Sequence, residues 1–324
     1  MVYLHPDYVG MRDLLITSAI CTSIHLRLNL IRAHNNVYEY VTVYVDDLAF
    51  AMRDPSQFMK EHKNKYGFKL KGTGPIKFHH GCKFFRDEHG VLCMAPTKCI
   101  KRLVSNHQQL FGFKPKLTVH SPLEKGDHPE LDTSELDPVG VQKYQSIIGS
   151  LKWAVSLAAV MTLSSFRSVS HKGHLDKAQR VCSYLYKIKH GMIRILTFQP
   201  DFSDLPDFHF DWEASVYGNV HQDIPEDILA PLGSIITLSH SVDTKLYHDM
   251  TLGCSVTGIL HLVNQTPIEC YSKEQATVET TTYGSDFVAA RTCVEQVIDL
   301  HQTFVTLVFL FRQRFMCLEI TRLW

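Results

Sequence analysis

Apolar and polar positions change period several times along these 324 residues. The run Val37-Tyr38-Glu39-Tyr40-Val41-Thr42-Val43-Tyr44-Val45 is dense in β-branched and aromatic residues and lacks helical spacing, which predicts a buried strand. Two carboxylates follow, Asp46 and Asp47, and strand formers resume at Leu48, Ala49 and Phe50. This predicts a hairpin with both acids at its tip. Adjacent carboxylates between apolar strands are costly to bury unless a cation pairs with them. A divalent metal is the commonest such cation where phosphate must be gripped. Taken alone, an Asp-Asp pair more often marks a solvated turn.

Around this hairpin the other elements are read in order. Residues 1–36 carry little information, although Leu14 to Leu30 is apolar enough to suggest a helix. Asp54-Pro55-Ser56-Gln57 combines a capping aspartate, a proline at the first helical position and a Gln that completes a capping box. In the helix it opens, Phe58, His62 and Tyr66 share one face, which should pack on the preceding sheet. Ile76 to Phe85 reads as strand, Asp87-Glu88-His89-Gly90 as a turn with a left-handed glycine, and Val91 to Met94 as the return strand.

Thr97 to Phe111 is amphipathic and helical, and 112–140, with Pro115, Pro122, Pro129 and Pro138, reads as an extended connector with little core. A helix starts near Tyr144 and runs through Leu157, with Gly149 allowing close helix packing. Another spans His174 to His190, striped by Leu175, Ala178, Cys182, Leu185 and Ile188. Lys177, Arg180, Lys187 and Lys189 give it a basic face, suited equally to solvent or to a nucleic-acid track. Residues 201–233 read as a linker, and Asp211-Trp212 within it as structural. Strands follow at Ile235–Asp243, Val256–Leu262 and Pro267–Lys273, then a helix from Val278 to Leu300 with Phe287, Val294 and Val297 inward.

Charge and cysteine content narrow the possibilities. Lys+Arg and Asp+Glu are both 33, so the global charge gives no support to strong sequence-independent nucleic-acid binding. Nine cysteines with no CxxC pair argue against a disulfide framework and a zinc module, and fit a reducing compartment. His79-His80 reads as structural in the absence of further ligands at metal spacing. No basic-then-apolar leader is present, and Phe304 to Phe311 is too short to span a bilayer before Arg312 stops it. The expectation is a cytoplasmic or nuclear protein without membrane contact.

Tyr-X-Asp-Asp between apolar strands resembles the palm hairpin of reverse transcriptases. Other segments, between residues 37 and 300, resemble the copia type of retrotransposon polyprotein in the family's order. Ser121-Pro122-Leu123 is similar to the family's small-residue-Pro-Leu stretch, and Tyr144-Gln145-Ser146-Ile147-Ile148-Gly149-Ser150-Leu151 to its Tyr-Arg-Ser-Leu-Ile-Gly-Ser-Leu. The His-X-X-X-Ala-X-Arg-Val pattern from His174 resembles its thumb-to-connection helix. Ser255-Val256-Thr257-Gly258-Ile259 and Tyr271-Ser272-Lys273-Glu274-Gln275 resemble two segments of its ribonuclease H.

The resemblance implies an α+β chain: an uncertain segment 1–36, a partial palm and thumb start over 37–112, a connector over 113–140, helical thumb and connection over 141–200, a linker over 201–233, a partial ribonuclease H-like α/β domain over 234–300 and an aberrant tail over 301–324. It implies RNA-directed DNA polymerase and ribonuclease H activity on an RNA/DNA template-primer, with Mg²⁺ and other retrotransposon proteins as partners. Asp46, Asp47, Asp243 and Asp286 would be the catalytic metal ligands. Tyr44, Lys69, Lys71 and Gly81 would face nucleic acid, Gly81 in the region that holds the primer end; Lys69 and Lys71 suit a solvated strand face equally. The chain departs from the family in three ways. No first palm aspartate precedes Val37, Asp286 stands for a glutamate, and no Asp-Asn pair follows Leu300, where Glu319 is the only acid. The expectation is a truncated, degenerate chain inactive by itself; the alternative is a non-catalytic module binding nucleic acid or protein.

Overall fold

The computed structural model describes residues 2–3, 28–34, 37–44, 47–52, 54–67, 74–79, 81–124, 126–154, 158–203, 214, 216, 235–306 and 316–319. They form three four-stranded sheets and six helices, an α+β architecture. The first sheet has β1 (Val2–Tyr3), β2 (Leu28–His34), β3 (Val37–Tyr44) and β4 (Asp47–Ala51) in the order β1-β4-β3-β2. β2 pairs antiparallel with β3 from Leu28 opposite Val43 to His34 opposite Val37. Leu28–Leu30 is therefore strand, where a helix reaching Leu30 was expected; pairing with β3 satisfies a backbone whose apolar run alone does not distinguish the two periods. Residues 14–27 lie outside the described residues.

The first helix, α1 (Pro55–Tyr66), has the expected Asp54 cap and first-turn proline, but Gln57 does not close the expected capping box, because its side chain turns along the helix. Asp54 Oδ1 accepts from the N–H groups of Ser56 at 2.9 Å and Gln57 at 3.0 Å. The Gln57 amide donates to Glu61, four residues on, at 2.9 Å. Phe58, His62 and Tyr66 stack along one face, and Phe58 meets Phe50 of β4 at 5.3 Å between ring centroids. That contact buries Phe58 with Val41, Phe50 and Met52 and seats the helix on the first sheet.

In the second sheet, β5 (Phe78–His79), β6 (Cys82–Arg86), β7 (Leu92–Ala95) and β8 (Ile193–Arg194) stand in sequence order. The stretch expected as one strand from Ile76 to Phe85 is two, because the chain reverses at Gly81, φ +78°, and His79 pairs with Cys82. The expected left-handed glycine at the next turn is Gly90, φ +76°. There Asp87 Oδ1 accepts from the N–H groups of His89 and Val91, both at 2.9 Å, and Arg194 of β8 reaches its other oxygen at 2.6 Å.

The helical layer holds α2 (Thr97–Phe111), α3 (Pro138–Leu151), α4 (Ala158–Ser165) and α5 (Lys172–Lys187). α2 has the predicted bounds. α3 starts before the expected Tyr144, because Asp137 caps it through Gly140 N–H at 2.9 Å and Pro138 fits its first turn. It stops at Leu151 and passes into a 3-10 turn, Lys152–Ala154, so it does not run through Leu157; residues 155–157 lie outside the described residues. Gly149 faces open space with nothing within 4 Å of where a Cβ would be, so it does not mediate helix packing. Tyr144, Ile147, Leu151, Val160, Leu163 and Val181 form the centre of this layer. Ile188 ends the expected α5 stripe as an exposed residue past the helix.

In the third sheet, β9 (Leu238–Lys245), β10 (Val256–Val263), β11 (Thr266–Glu274) and β12 (Met316–Glu319) are ordered β11-β10-β9-β12. β9, β10 and β11 are an antiparallel meander, and β12 lies parallel to β9. The helix α6 (Thr282–Thr306) joins the meander to β12. Of the tail expected to be aberrant, residues 301–306 continue this helix and 316–319 form β12.

One apolar cluster joins all three sheets. It holds Tyr38 and Tyr40 of β3, Phe84 and Leu92 of the second sheet, and Leu238, Val263, Leu300 and Phe304 of the third sheet and α6. The segment after β8 clamps the second sheet to the third. Leu196 N–H donates to Thr266 Oγ1 at 2.7 Å, and Asn264 Nδ2 donates to the Thr197 carbonyl at 3.4 Å. Among the described residues no helix is long and apolar enough to cross a membrane.

Candidate functional sites at the acidic hairpin and cleft

β3 and β4 are paired by register from Tyr40 opposite Ala51 to Tyr44 opposite Asp47. Only positions 45 and 46 stand between the paired strands. Asp47, the second of the tandem acids, is the first residue of β4 and lies opposite Tyr44 of the antiparallel β3. Asp46 itself, Lys69, Lys71, His80, Asp211 and Trp212 lie outside the described residues. Gly81 is the reversal between β5 and β6, and a Cβ there would meet Cys99 Sγ of α2 at 2.8 Å. Its glycine is explained by that close approach and by its φ. His79, the described member of the histidine pair, is buried in β5.

The second acidic position is a cleft of about 370 Å³ where the end of β9 meets the start of α6. Val242, Asp243, Thr244, Tyr283, Asp286 and Phe287 line it. Asp243 and Asp286 thus reach one cleft, and the alternation of side chains along β9 decides how. Val242 packs on Ala289 and Cys293 of α6, and Thr244, two residues on, faces the helix too. Thr244 Oγ1 donates to Asp286 and lies 3.3 Å from Ser285 Oγ. Asp243, between them, accepts from the N–H of Thr244 at 2.9 Å. A hydroxyl, and not a second carboxylate, is hydrogen-bonded to Asp286. Among the described residues there is no group of three or more His, Cys, Asp or Glu able to hold a metal ion.

Deeper between sheet and helix is a polar network that the sequence reading missed. His240 and His261 stand opposite each other on β9 and β10, with their Nδ1 atoms 2.7 Å apart. His261 Nε2–H donates to Gln296 Oε1 at 2.9 Å. His261 Nδ1 is then the acceptor and His240 Nδ1–H the donor, a tautomer pair set by the network. Burial, and then the neighbouring His261, push His240 down to about 4, and burial lowers His261 as well. The one sequence signal was a histidine at matching positions of two neighbouring strands.

The basic face of α5 is partly covered, with Lys187 still exposed. The connector runs along it. Arg180 Nε and Nη2 donate to the backbone and side-chain oxygens of Ser121 at 3.2 and 3.3 Å, and Nη1 pairs with Glu124 at 2.7 Å. Lys177 pairs with Asp127 at 3.7 Å, Lys187 Nζ lies 3.1 Å from His120 Nδ1, and Lys189 sits over the Tyr186 ring. His174 Nε2–H donates to the Pro129 carbonyl at 2.7 Å while its Nδ1 accepts from His171 N–H at 3.0 Å, so burial holds this ring neutral. The connector expected to have little core buries Pro129 and lays Leu123 and Leu136 on the helical cluster. The connector acids Asp127 and Glu124 are the partners of Lys177 and Arg180.

Compared with protein-family models, with curated proteins and with solved structures, the chain matches none.

Proposed function

We propose that this chain is a remnant of a copia-type reverse transcriptase and ribonuclease H, a polymerase of RNA-directed DNA synthesis by descent, that carries out no phosphoryl transfer by itself. The observation that supports the reading is the register of β3 on β4, in which Tyr44 lies opposite Asp47, the first and last residues of the Tyr44-Val45-Asp46-Asp47 motif. The third sheet supports it. Three antiparallel strands followed by a helix that bears an acid at the cleft stand in the order that the resemblance implies.

Two-metal chemistry requires several carboxylates converging on two cations astride a phosphate. The described acids of the cleft do not fit that set, because Asp286 is bonded to Thr244 and no third acid joins it and Asp243. The alternative of a non-catalytic protein-interaction module is favoured by one observation, the outward apolar stripe of α6.

The test is primer extension and RNA·DNA hybrid cleavage by the full chain with Mg²⁺ or Mn²⁺. Neither product is expected. Incorporation that Asp46→Ala abolishes, or hybrid cleavage that Asp243→Asn abolishes, would overturn the reading of inactivity.

A further inference from the structure

The helix α6 has two apolar faces. The one on the sheet is made mostly of small residues, with Ser285, Ala289 and Cys293 fully buried and Leu300 and Phe304 closing its far end. The larger residues of the first turns face outward. Tyr283 is 79% exposed, Phe287 64%, Val294 55% and Ile298 56%. At 100° per residue these four fall within one narrow stripe, about 22 Å long at 1.5 Å per residue. The stripe carries no charge, and the flanking Arg291 is paired with Glu295 at 3.1 Å on its own helix.

We propose that this stripe is where a second copy of the same chain docks, its α6 antiparallel to the first about a two-fold axis at positions 290–291. The spacing is the argument. The intervals 283–287, 287–294 and 294–298 read the same from either end. An antiparallel copy therefore lays Tyr283 on the partner's Ile298 and Phe287 on the partner's Val294, and each aromatic ring meets a branched aliphatic twice. A two-fold interface needs such self-complementarity, because one patch must serve both sides. The four side chains offer on the order of 500 Å² per copy, taking an aromatic as 150–250 Å². Twice that reaches the lower end of specific interfaces, so the pair is reversible and concentration-dependent.

Sedimentation velocity on the full chain tests this over about two decades of concentration centred on the micromolar range. The chain is expected to pass from monomer to dimer. Phe287→Glu and Val294→Lys, at exposed positions, should each keep the wild-type far-ultraviolet dichroism and weaken self-association by about a hundredfold or more, as an unpaired charge in an apolar contact does. Mixing the two variants should restore a dimer, since position 287 meets position 294 of the other copy with opposite charge. A wild-type chain that stays monomeric, a dimer indifferent to both variants, or a mixture that stays monomeric would each overturn the proposal.

Discussion

Replacing Arg180 by methionine separates the two uses of the α5 basic face. The substitution keeps the aliphatic stem on the helix and removes the guanidinium. Two hydrogen bonds to Ser121 are lost at a partly buried position, each contributing about 1 kcal/mol net. The Glu124 carboxylate is 65% exposed, so its ion pair adds no more than about 0.5 kcal/mol after solvent screening. The expected loss is about 2 kcal/mol, placed locally on the connector, which corresponds to roughly thirtyfold faster opening. Amide exchange and limited proteolysis over residues 113–137 read that opening directly. The Lys177 pair with Asp127 and the His174 bond to Pro129 remain, so opening should be greatest around Ser121 and fall off toward Pro129. Unchanged protection of the connector, accompanied by lost affinity for single-stranded RNA, would refute the reasoning and return this face to nucleic acid.

Gly81→Ala should destabilise the chain by more than the roughly 1 kcal/mol of its left-handed backbone, because the new methyl would stand 2.8 Å from Cys99 Sγ. In the double variant with Cys99→Ala, part of that loss should return, and urea titrations of the four chains measure the coupling. Urea stability should also fall as the pH drops from about 6.5 toward 4. The unfolded chain takes up a proton at the ordinary histidine value of 6.5, whereas folded His240 does so only near 4, so its contribution of about 3 kcal/mol is complete above the first value and lost toward the second. His240→Gln should flatten that slope, and an unchanged slope would contradict the network. On α6, Ala289→Leu should cost about 1–3 kcal/mol by overpacking. Phe287→Ser, assayed below the dimerising concentration, should change stability by no more than about 0.5 kcal/mol; the reverse ranking would mean that the helix presents its other face to the sheet.

Local chemistry was most legible where it was self-sufficient. The β3–β4 hairpin, the Asp54 cap, the Phe58-His62-Tyr66 stack, the turn at Gly90 and the bounds of α2 were all readable in the sequence, because neighbours within a few residues decide them. Long-range partners were not. Lys177 and Arg180 read as one charged face, since nothing on α5 says that Asp127 and Glu124, more than forty residues earlier, lie alongside. The α6 stripe was assigned by size. Phe287 and Val294 were expected inward, yet the sheet approaches the helix along Ala289 and Cys293, and only Val297 of the expected three packs against that cluster. At the cleft Asp243 and Asp286 both line the wall, but it is Thr244, the next residue of β9, that is hydrogen-bonded to Asp286, and a difference of one residue is invisible to a motif match.

The shared core has a consequence for the chain as it is made. Tyr38, Tyr40 and Ala51 are buried with Leu300 and Phe304, so one face of the earliest described hairpin has its apolar partners at the far end of the polypeptide. A ribosome adding about 5–20 residues per second needs on the order of tens of seconds to deliver the roughly 250 residues between them. During that interval the aromatic side of the nascent hairpin is open to chaperones and to wrong strands. Contacts this distant along the chain also make refolding slow.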